Sequence, residues 1–308
     1  MKEKNIKHNH PMNHWRLPVL LAAVLIITLL SWLSVSSVGV ASEFGTNGQP
    51  LYEKLDLSAV PENVAMNAVN TASDLFGGMN EKSWGFIDEV LAMYEESQDK
   101  DVLFIFNPGG WGSEPAERCK GWSSILDGVQ SELSGSGVDS LVLTYRRTVD
   151  DFYGRCKEFM EIFTAYKTKA KELATRIEFL TKQNPDLKVV VTGESMGTLI
   201  SGEVMKILAD NPQVYSIQTG PPPWHKIETK DRTLIIADNG VVPDTFSNWE
   251  FWKIVTSSLA TLLHISQPDE NQGTILGFIQ SPGHNYTWDY PAVSSQINDF
   301  LENTVDIK

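Results

Sequence analysis

The chain of 308 residues has little cysteine, little basic charge and few histidines, and each scarcity narrows what it can be. Two cysteines, Cys119 and Cys156, permit one disulfide at most. Neither lies in a C-x-x-C pair or beside histidines at metal-ligand spacing, so no zinc site and no other metal or cofactor is expected, and both are read as structural, paired or free. Lysine and arginine number 25 against 39 acidic residues, a formal net charge of -14. That balance argues against a nucleic-acid partner, because no basic excess is available to neutralise phosphates, and leaves a neutral or lipid-like small molecule as the expected ligand class. What is present is ordinary for a folded chain: 42% hydrophobic and 21% charged residues, enough for one large α/β domain with a full core.

Charge is missing altogether from Leu17 to Ser42, where the run "LPVLLAAVLIITLLSWL" follows Lys2, Lys4, Lys7 and Arg16 against a single Glu3. About 20 such residues span a bilayer. The lysines and arginine place residues 1–16 in the cytoplasm and the remainder outside. Residues 17–41 therefore read as a transmembrane signal anchor, or as a signal peptide with Gly39-Val40-Ala41 at its cleavage site, and either way the domain is exported. Residues 42–61, polar with scattered glycine and proline, suit a tether to a domain over 62–308. No internal repeat is visible, and oligomeric state is not legible.

Helical patterns cover about Glu62 to Leu75 and Lys82 to Glu96, the second with Phe86, Val90, Leu91 and Tyr94 on one face. Short apolar runs then alternate with longer periodic ones, the pattern of a mostly parallel sheet with helices on both faces. The runs are "VLFIF" at Val102, "LVLTY" at Leu141, "KVVV" at Lys188, "VYSI" at Val214, "TLIIA" at Thr233 and, less clearly, "TILGFI" at Thr274, giving about six strands. One long helix is expected over Asp151 to Gln183, with Cys156, Phe159, Met160 and Leu173 on one face. A second carries Met196, Leu199, Ile200, Val204, Ile207 and Leu208 inward, and a last one carries Val293, Ile297, Phe300 and Leu301.

Gly193-Glu194-Ser195-Met196-Gly197 fits G-x-S-x-G, and its context matters more than the pentapeptide: Ser195 stands where an apolar strand turns directly into an amphipathic helix. In an open parallel sheet such turns are exposed at the carboxyl ends of the strands, where ligands bind, and a helix N-terminus stabilises negative charge. Serine is also a good N-cap, so a turn serine is the competing reading. A nucleophile needs a base and oxyanion donors. His8, His10 and His14 precede the apolar segment and are excluded by topology. His264 falls on an apolar helical stretch, where packing is its expected role, and His225 follows the proline-rich "GPPPWHK". His284, in a loop between the last candidate strand and the final helix, fits the late position of the base.

The strand-turn-helix around Ser195, the late His284 and the alternating sheet resemble the α/β-hydrolase superfamily over about Asp101 to Ile307. The resemblance implies a Ser-His-acid triad and an oxyanion hole. "FNPGGWG" follows "VLFIF" where the family has a glycine-rich turn, so the amides of Gly109 and Gly110, with that of Met196, are the implied oxyanion donors, although Asn107-Pro108 stand where the family has histidine. As a phosphate loop these glycines lack a following G-K-[ST]. The family's acid slot, ahead of a Val-Val-Pro-like turn, is Asn239 in "IIADNGVVPDTF", with Asp238 beside it and Asp244 just after the turn; Asp238 ranks slightly ahead of Asp244, and either could be a turn aspartate.

Few residues separate "VYSI" from "TLIIA", leaving little room for a large lid. Trp111, the Trp249-Phe251-Trp252 cluster, Tyr286 and Trp288 are available to line an apolar acyl site, or to pack against the sheet. The sequon Asn285-Tyr286-Thr287 adjoins His284, where a glycan would obstruct the site, and is discounted. The reading that results is an exported, membrane-tethered serine hydrolase of carboxylic esters. A noncatalytic hydrolase-fold binding domain at the cell surface is the alternative from another class, and peptidase or thioesterase chemistry would use the same groups.

Overall fold

The computed structural model describes residues 44–46, 49–50, 59–148, 152–162, 164, 166–226, 231–263, 272–275 and 279–307. Its centre is five parallel strands: β3 (Val102–Asn107), β4 (Ser140–Tyr145), β5 (Lys188–Glu194), β6 (Val214–Thr219) and β7 (Thr233–Ile236). These are the first five of the apolar runs. They are apolar on both faces because both faces are covered, β3 being buried over its whole length. The order β4-β3-β5-β6-β7 puts β3 and β5 in the middle, in a register that aligns Asn107 with Gly193 at their carboxyl ends.

The β4 edge is extended by β1 (Phe44–Thr46) and β2 (Gln49–Pro50), both antiparallel, with Phe44 opposite Tyr145. Both strands fall inside the stretch that composition alone assigns to a tether. Phe44 is fully buried, its ring 5.1 Å from that of Tyr145 and under the Arg176 guanidinium.

Alternate residues of the strands feed two cores. Leu103, Ile105, Val189 and Val191 face α1 (Glu62–Phe76), α2 (Glu81–Ser97), α5 (Lys167–Gln183) and α6 (Gly197–Ile207). Phe104, Phe106, Val190, Ile217 and Ile236 face α3 (Lys120–Gly135) and α8 (Pro291–Asn303), whose Val293, Ile297, Phe300 and Leu301 are all buried.

Two elements differ from the sequence expectation. The single helix over Asp151 to Gln183 is two, α4 (Phe152–Ile162) and α5, broken at Tyr166, which takes φ 56°. Nothing in the sequence marks that break with glycine or proline. Its cause is tertiary: the buried Tyr166 ring lies under the Arg147 guanidinium, 5.3 Å away. Cys156 and Met160, expected inward, are exposed. The sixth apolar run is not a strand of the main sheet. It is divided between β8 (Gln272–Ile275) and β9 (Ile279–Pro282), an antiparallel pair apart from that sheet, against which α7 (Phe251–Leu262) packs.

Residues 1–43, with the apolar segment 17–41 and His8, His10 and His14, lie outside the described residues, as does His264. Among the described residues no helix is long and apolar enough to cross a membrane.

Candidate active site

β5 and α6 join through Ser195 and Met196 alone, and the two flanking glycines are what permit it. A Cβ on Gly193 would lie 2.7 Å from Ser201 Oγ, and one on Gly197 would lie 2.2 Å from the Asn107 carbonyl oxygen. Any larger residue at 197 would therefore force α6 away from the end of β3. Ser195 takes φ 51°, a left-handed conformation that L-residues adopt at a cost and that persists where the surroundings impose it. Its N–H donates to the Thr219 carbonyl at 2.9 Å, and its carbonyl accepts from the N–H and hydroxyl of Thr198. The backbone is thus pinned on both sides. Ser195 is buried, its Oγ has no protein partner, and α6 has no side-chain N-cap, so the hydroxyl is not spent on capping.

His284 is buried in the loop after β9. Its Nδ1 lies 2.8 Å from Asp244 Oδ2, and its Nε2 has no protein partner. The ring is set against the strand end that holds Ser195: a Cβ on Gly220 would lie 2.6 Å from His284 Cε1, and Gly220 directly follows Thr219, the acceptor of the Ser195 N–H. Ser195 and His284 are therefore brought to the same carboxyl edge, each presenting a buried unpaired polar atom. No hydrogen bond closes between them.

Of the two candidate acids, Asp244 is beside His284 and Asp238 is not. Asp244 is fully buried; Oδ2 accepts from His284, from the Tyr286 hydroxyl at 2.8 Å and from Ser247 Oγ at 2.9 Å, while Oδ1 accepts the Phe246 N–H at 2.8 Å. Burial by itself would raise its pKa, but the charge of His284 and the donated bonds of His284, Tyr286 and Ser247 outweigh it and hold the carboxyl below the usual aspartate value. Asp238 is exposed, and its carboxylate accepts the Gly240 N–H, an ordinary turn role. Asn239, in the implied acid slot, is a clamp. Its Nδ2 donates to the carbonyls of Gly283 and Asn285 on either side of His284, and its Oδ1 accepts from the amides of Val241 and Val242. It fixes the loop that carries the imidazole.

The glycine turn after β3 also sits at this edge, with Gly110 at φ 55° and Gly112 at φ 72°. Its shape depends on Arg147, which the sequence reading gave no role. The guanidinium donates to the carbonyls of Pro108 and Gly110, its backbone N–H donates to Gly112, and Nε bonds Glu158 at 2.9 Å with both side chains fully buried. Burial opposes the charge on Arg147, but the Glu158 carboxylate outweighs it. Lys169 completes the network on Glu158 at 2.9 Å. Within the turn the Gly112 N–H donates to the Gly109 carbonyl at 3.0 Å.

The Gly109 amide is engaged as well. Gly109 N–H donates to Glu194 Oε2 at 3.3 Å, so a partly buried carboxylate beside Ser195 holds one of the implied oxyanion donors. Burial raises the Glu194 pKa, opposed in turn by His284, the Gly109 N–H and Arg147. Glu194 is visible in the sequence as the second residue of the pentapeptide, but nothing local indicates where its side chain goes.

His225 is elsewhere: its Nε2 meets Gln218 Oε1 at 2.7 Å, and burial lowers its pKa to about 4. Trp111 is buried next to the glycine turn; Tyr286 is occupied with Asp244, and Trp288 packs over Gly128, so neither of these last two lines an open acyl site. Trp249 and Trp252 are exposed. Cys119 and Cys156 are unbridged, and burial, then the nearby acids Glu194 and Glu114, push the Cys119 thiol up, away from the thiolate a reactive cysteine needs. Asn285, of the sequon, is only partly accessible.

No protein family and no curated protein matches this sequence. Among solved structures it is similar to a Trichoderma reesei cutinase in complex with a C11Y4 phosphonate inhibitor, at 13% identity and a TM-score of 0.34, over 60% of this chain and 80% of that one.

Proposed function

We propose that this chain is a serine hydrolase of carboxylic esters, with Ser195 as nucleophile, His284 as base and Asp244 as the acid that orients it. The observation that carries the reading is the pairing of a left-handed, pinned Ser195 whose hydroxyl bonds nothing with an imidazole whose Nδ1 is held by Asp244 and whose Nε2 bonds nothing. Two buried polar atoms left without partners cost about 1–3 kcal/mol each, a cost that ordinary packing removes and that a reacting substrate would recover.

As Ser195 Oγ bonds the ester carbonyl carbon, its proton passes to His284 Nε2, and Asp244 stabilises the imidazolium that forms. The carbonyl electron pair moves to oxygen, facing the amides of Met196 and Gly110, and that of Gly109 once Glu194 yields it. Collapse expels the alcohol, which takes the proton from His284, and leaves an acyl group on Ser195. Water repeats the sequence and returns the enzyme. Peptides and thioesters could pass through the same steps. The exposed position proposed for the domain, outside the membrane on an uncleaved anchor or secreted after cleavage, rests on the sequence of residues 1–41.

Turnover of short-chain aryl esters tests the reading. Wild type should hydrolyse them, and Ser195→Ala and His284→Ala should each reduce kcat by about 10^4-fold or more. Two observations favour a second reading, a noncatalytic binding domain: Glu194 holds Gly109, and no Ser195–His284 bond is closed. Absence of turnover in wild type and both variants across a panel of esters would support it.

A further inference from the structure

α7 is built inside out. An amphipathic helix normally turns its apolar stripe to the core. Here the side toward the protein carries Ile254, Ser257 and Ser258, with Ser258 bonded to the Gln280 backbone of β9 and Ser257 to Gln272 of β8. Trp252, Leu259 and Leu263 share the outward face with Leu262 at its margin, exposed by 73, 49, 63 and 68%. Trp249, 64% exposed, stands just ahead of the helix, its ring 5.7 Å from that of Trp224 and tilted against it. Trp224 meets Phe246, and Phe246 meets the His284 ring at 5.3 Å. A series of neighbouring rings thus leads from the exposed Trp249 to the proposed base.

Three observations say what covers it. First, the face is neutral in a strongly acidic chain: from Phe251 to Leu263 the only charged side chain is Lys253, which is paired with Glu250 at 2.7 Å. An acidic domain that keeps its carboxylates off one tryptophan- and leucine-rich face fits a bilayer surface, where tryptophan is favoured and anions are not. Second, the chain leading out of the fold starts at the same edge. Phe44, locked against Tyr145, lies at the carboxyl end of β4, and Ala41, where the uncharged apolar segment ends, is three residues before it. On the uncleaved-anchor reading of residues 17–41, a span ending at 41 would leave almost no tether and would hold the carboxyl edge of the sheet at the membrane surface. Third, β1, which carries Phe44, and the β7 side that leads to α7 lie on opposite sides of β5, at whose end Ser195 stands. At about 4.8 Å per strand, β1 and β7 are roughly 24 Å apart, close enough to meet one membrane plane together.

We propose that α7 and the tryptophans beside it dock into the uncharged surface of the bilayer that holds residues 17–41, so that the active-site edge faces that bilayer and acts in cis on acyl esters within it. The substrate class rests on the hydrolase reading above; the docking does not. From Phe251 to Leu263 the one cation, Lys253, is paired with Glu250, which points to zwitterionic or neutral lipid rather than anionic headgroups.

The full chain is reconstituted in phosphatidylcholine vesicles with plain or brominated acyl chains, as wild type, Ser195→Ala and Trp249→Phe/Trp252→Phe. The emission that disappears in the double phenylalanine variant belongs to Trp249 and Trp252, and it should be quenched by the brominated lipid in wild type and equally in Ser195→Ala. Unquenched emission overturns the docking, whether the patch then proves to be covered by a second copy of the chain in a crosslinking assay or by nothing. In the same vesicles Leu262→Glu/Leu263→Glu should hydrolyse an ester-linked fluorogenic phosphatidylcholine about ten-fold more slowly or worse, with turnover of a water-soluble aryl ester unchanged. Equal loss on both substrates would overturn the cis orientation. Quenching without any ester turnover in wild type would reject the hydrolase and leave the docking standing; turnover without quenching would do the reverse.

Discussion

Replacing Asp244 by asparagine tests the polar centre most sharply, because the hydrogen bonds around it determine which way the amide must turn. Oδ1 accepts the backbone N–H of Phe246, and Oδ2 accepts from His284, Tyr286 and Ser247. An asparagine keeps one acceptor, and if its oxygen stays with the backbone N–H, its NH2 points at His284 Nδ1. That nitrogen must then accept, which moves the imidazole proton to Nε2, the atom that has to receive the proton of Ser195. Wrong tautomer and lost imidazolium stabilisation together lower kcat by about 10^4-fold, about 5.5 kcal/mol of barrier. The same change at Asp238 leaves the Gly240 N–H an equivalent acceptor in an exposed turn, and kcat should stay within about two-fold. The assay is steady-state hydrolysis of a soluble aryl ester by both variants, with circular dichroism to show that each is folded. A loss in Asp238→Asn as large as that in Asp244→Asn would refute the assignment.

Four further outcomes follow from the same contacts. The depressed pKa of Asp244 makes its contribution to stability full above the ordinary aspartate value and lost as pH falls through the lower folded value, so the Tm gap between wild type and Asp244→Asn should narrow on acidification from pH 7 toward pH 3. Glu194 has the opposite sign: burial raises its pKa, so its ionised form costs stability as pH rises through the folded value, and Glu194→Gln should raise Tm more at pH 8 than at pH 4.5. Arg147→Met should cost about 3 kcal/mol by leaving Glu158 buried with Lys169 as its remaining cation, and Arg147→Met/Glu158→Gln should recover part of that in urea unfolding while ester turnover stays impaired, because the glycine turn loses its brace. Gly197→Ala should lose about 3 kcal/mol and most activity, since its methyl would stand 2.2 Å from the Asn107 carbonyl; native-like stability and turnover would contradict the close-approach argument.

What the sequence disclosed was local. The five parallel strands were legible because strands covered on both faces are continuous apolar runs, and the Ser195 turn because its two glycines answer a steric need that sits within the motif itself. The break at Tyr166 was not legible, for it is imposed by Arg147 stacking from a distant strand end. The division of the run near Thr274 into β8 and β9 was hidden too, its apolar character being equally suited to one buried strand. The acid was ambiguous because Asp238 and Asp244 stand on either side of one turn with equal turn chemistry. Only the fold shows Asn239 clamping the histidine loop from the slot the resemblance implied, while the chain beyond Pro243 carries Asp244 under the imidazole. Glu194 and Arg147 were missed for a similar reason: each acts on the glycine turn across a long sequence separation. For α7 the sequence revealed an apolar helix but not that its apolar side faces out.

The central claim is that the hydroxyl at position 195 is a nucleophile activated by His284. Intact mass and peptide mapping after reaction with a fluorophosphonate probe measures this directly. The account predicts a single adduct on the peptide that contains Ser195, formed at least about 100-fold more slowly in His284→Ala and absent from Ser195→Ala. Equal labelling of wild type and Ser195→Ala, or a folded wild type that takes no probe at all, would contradict it.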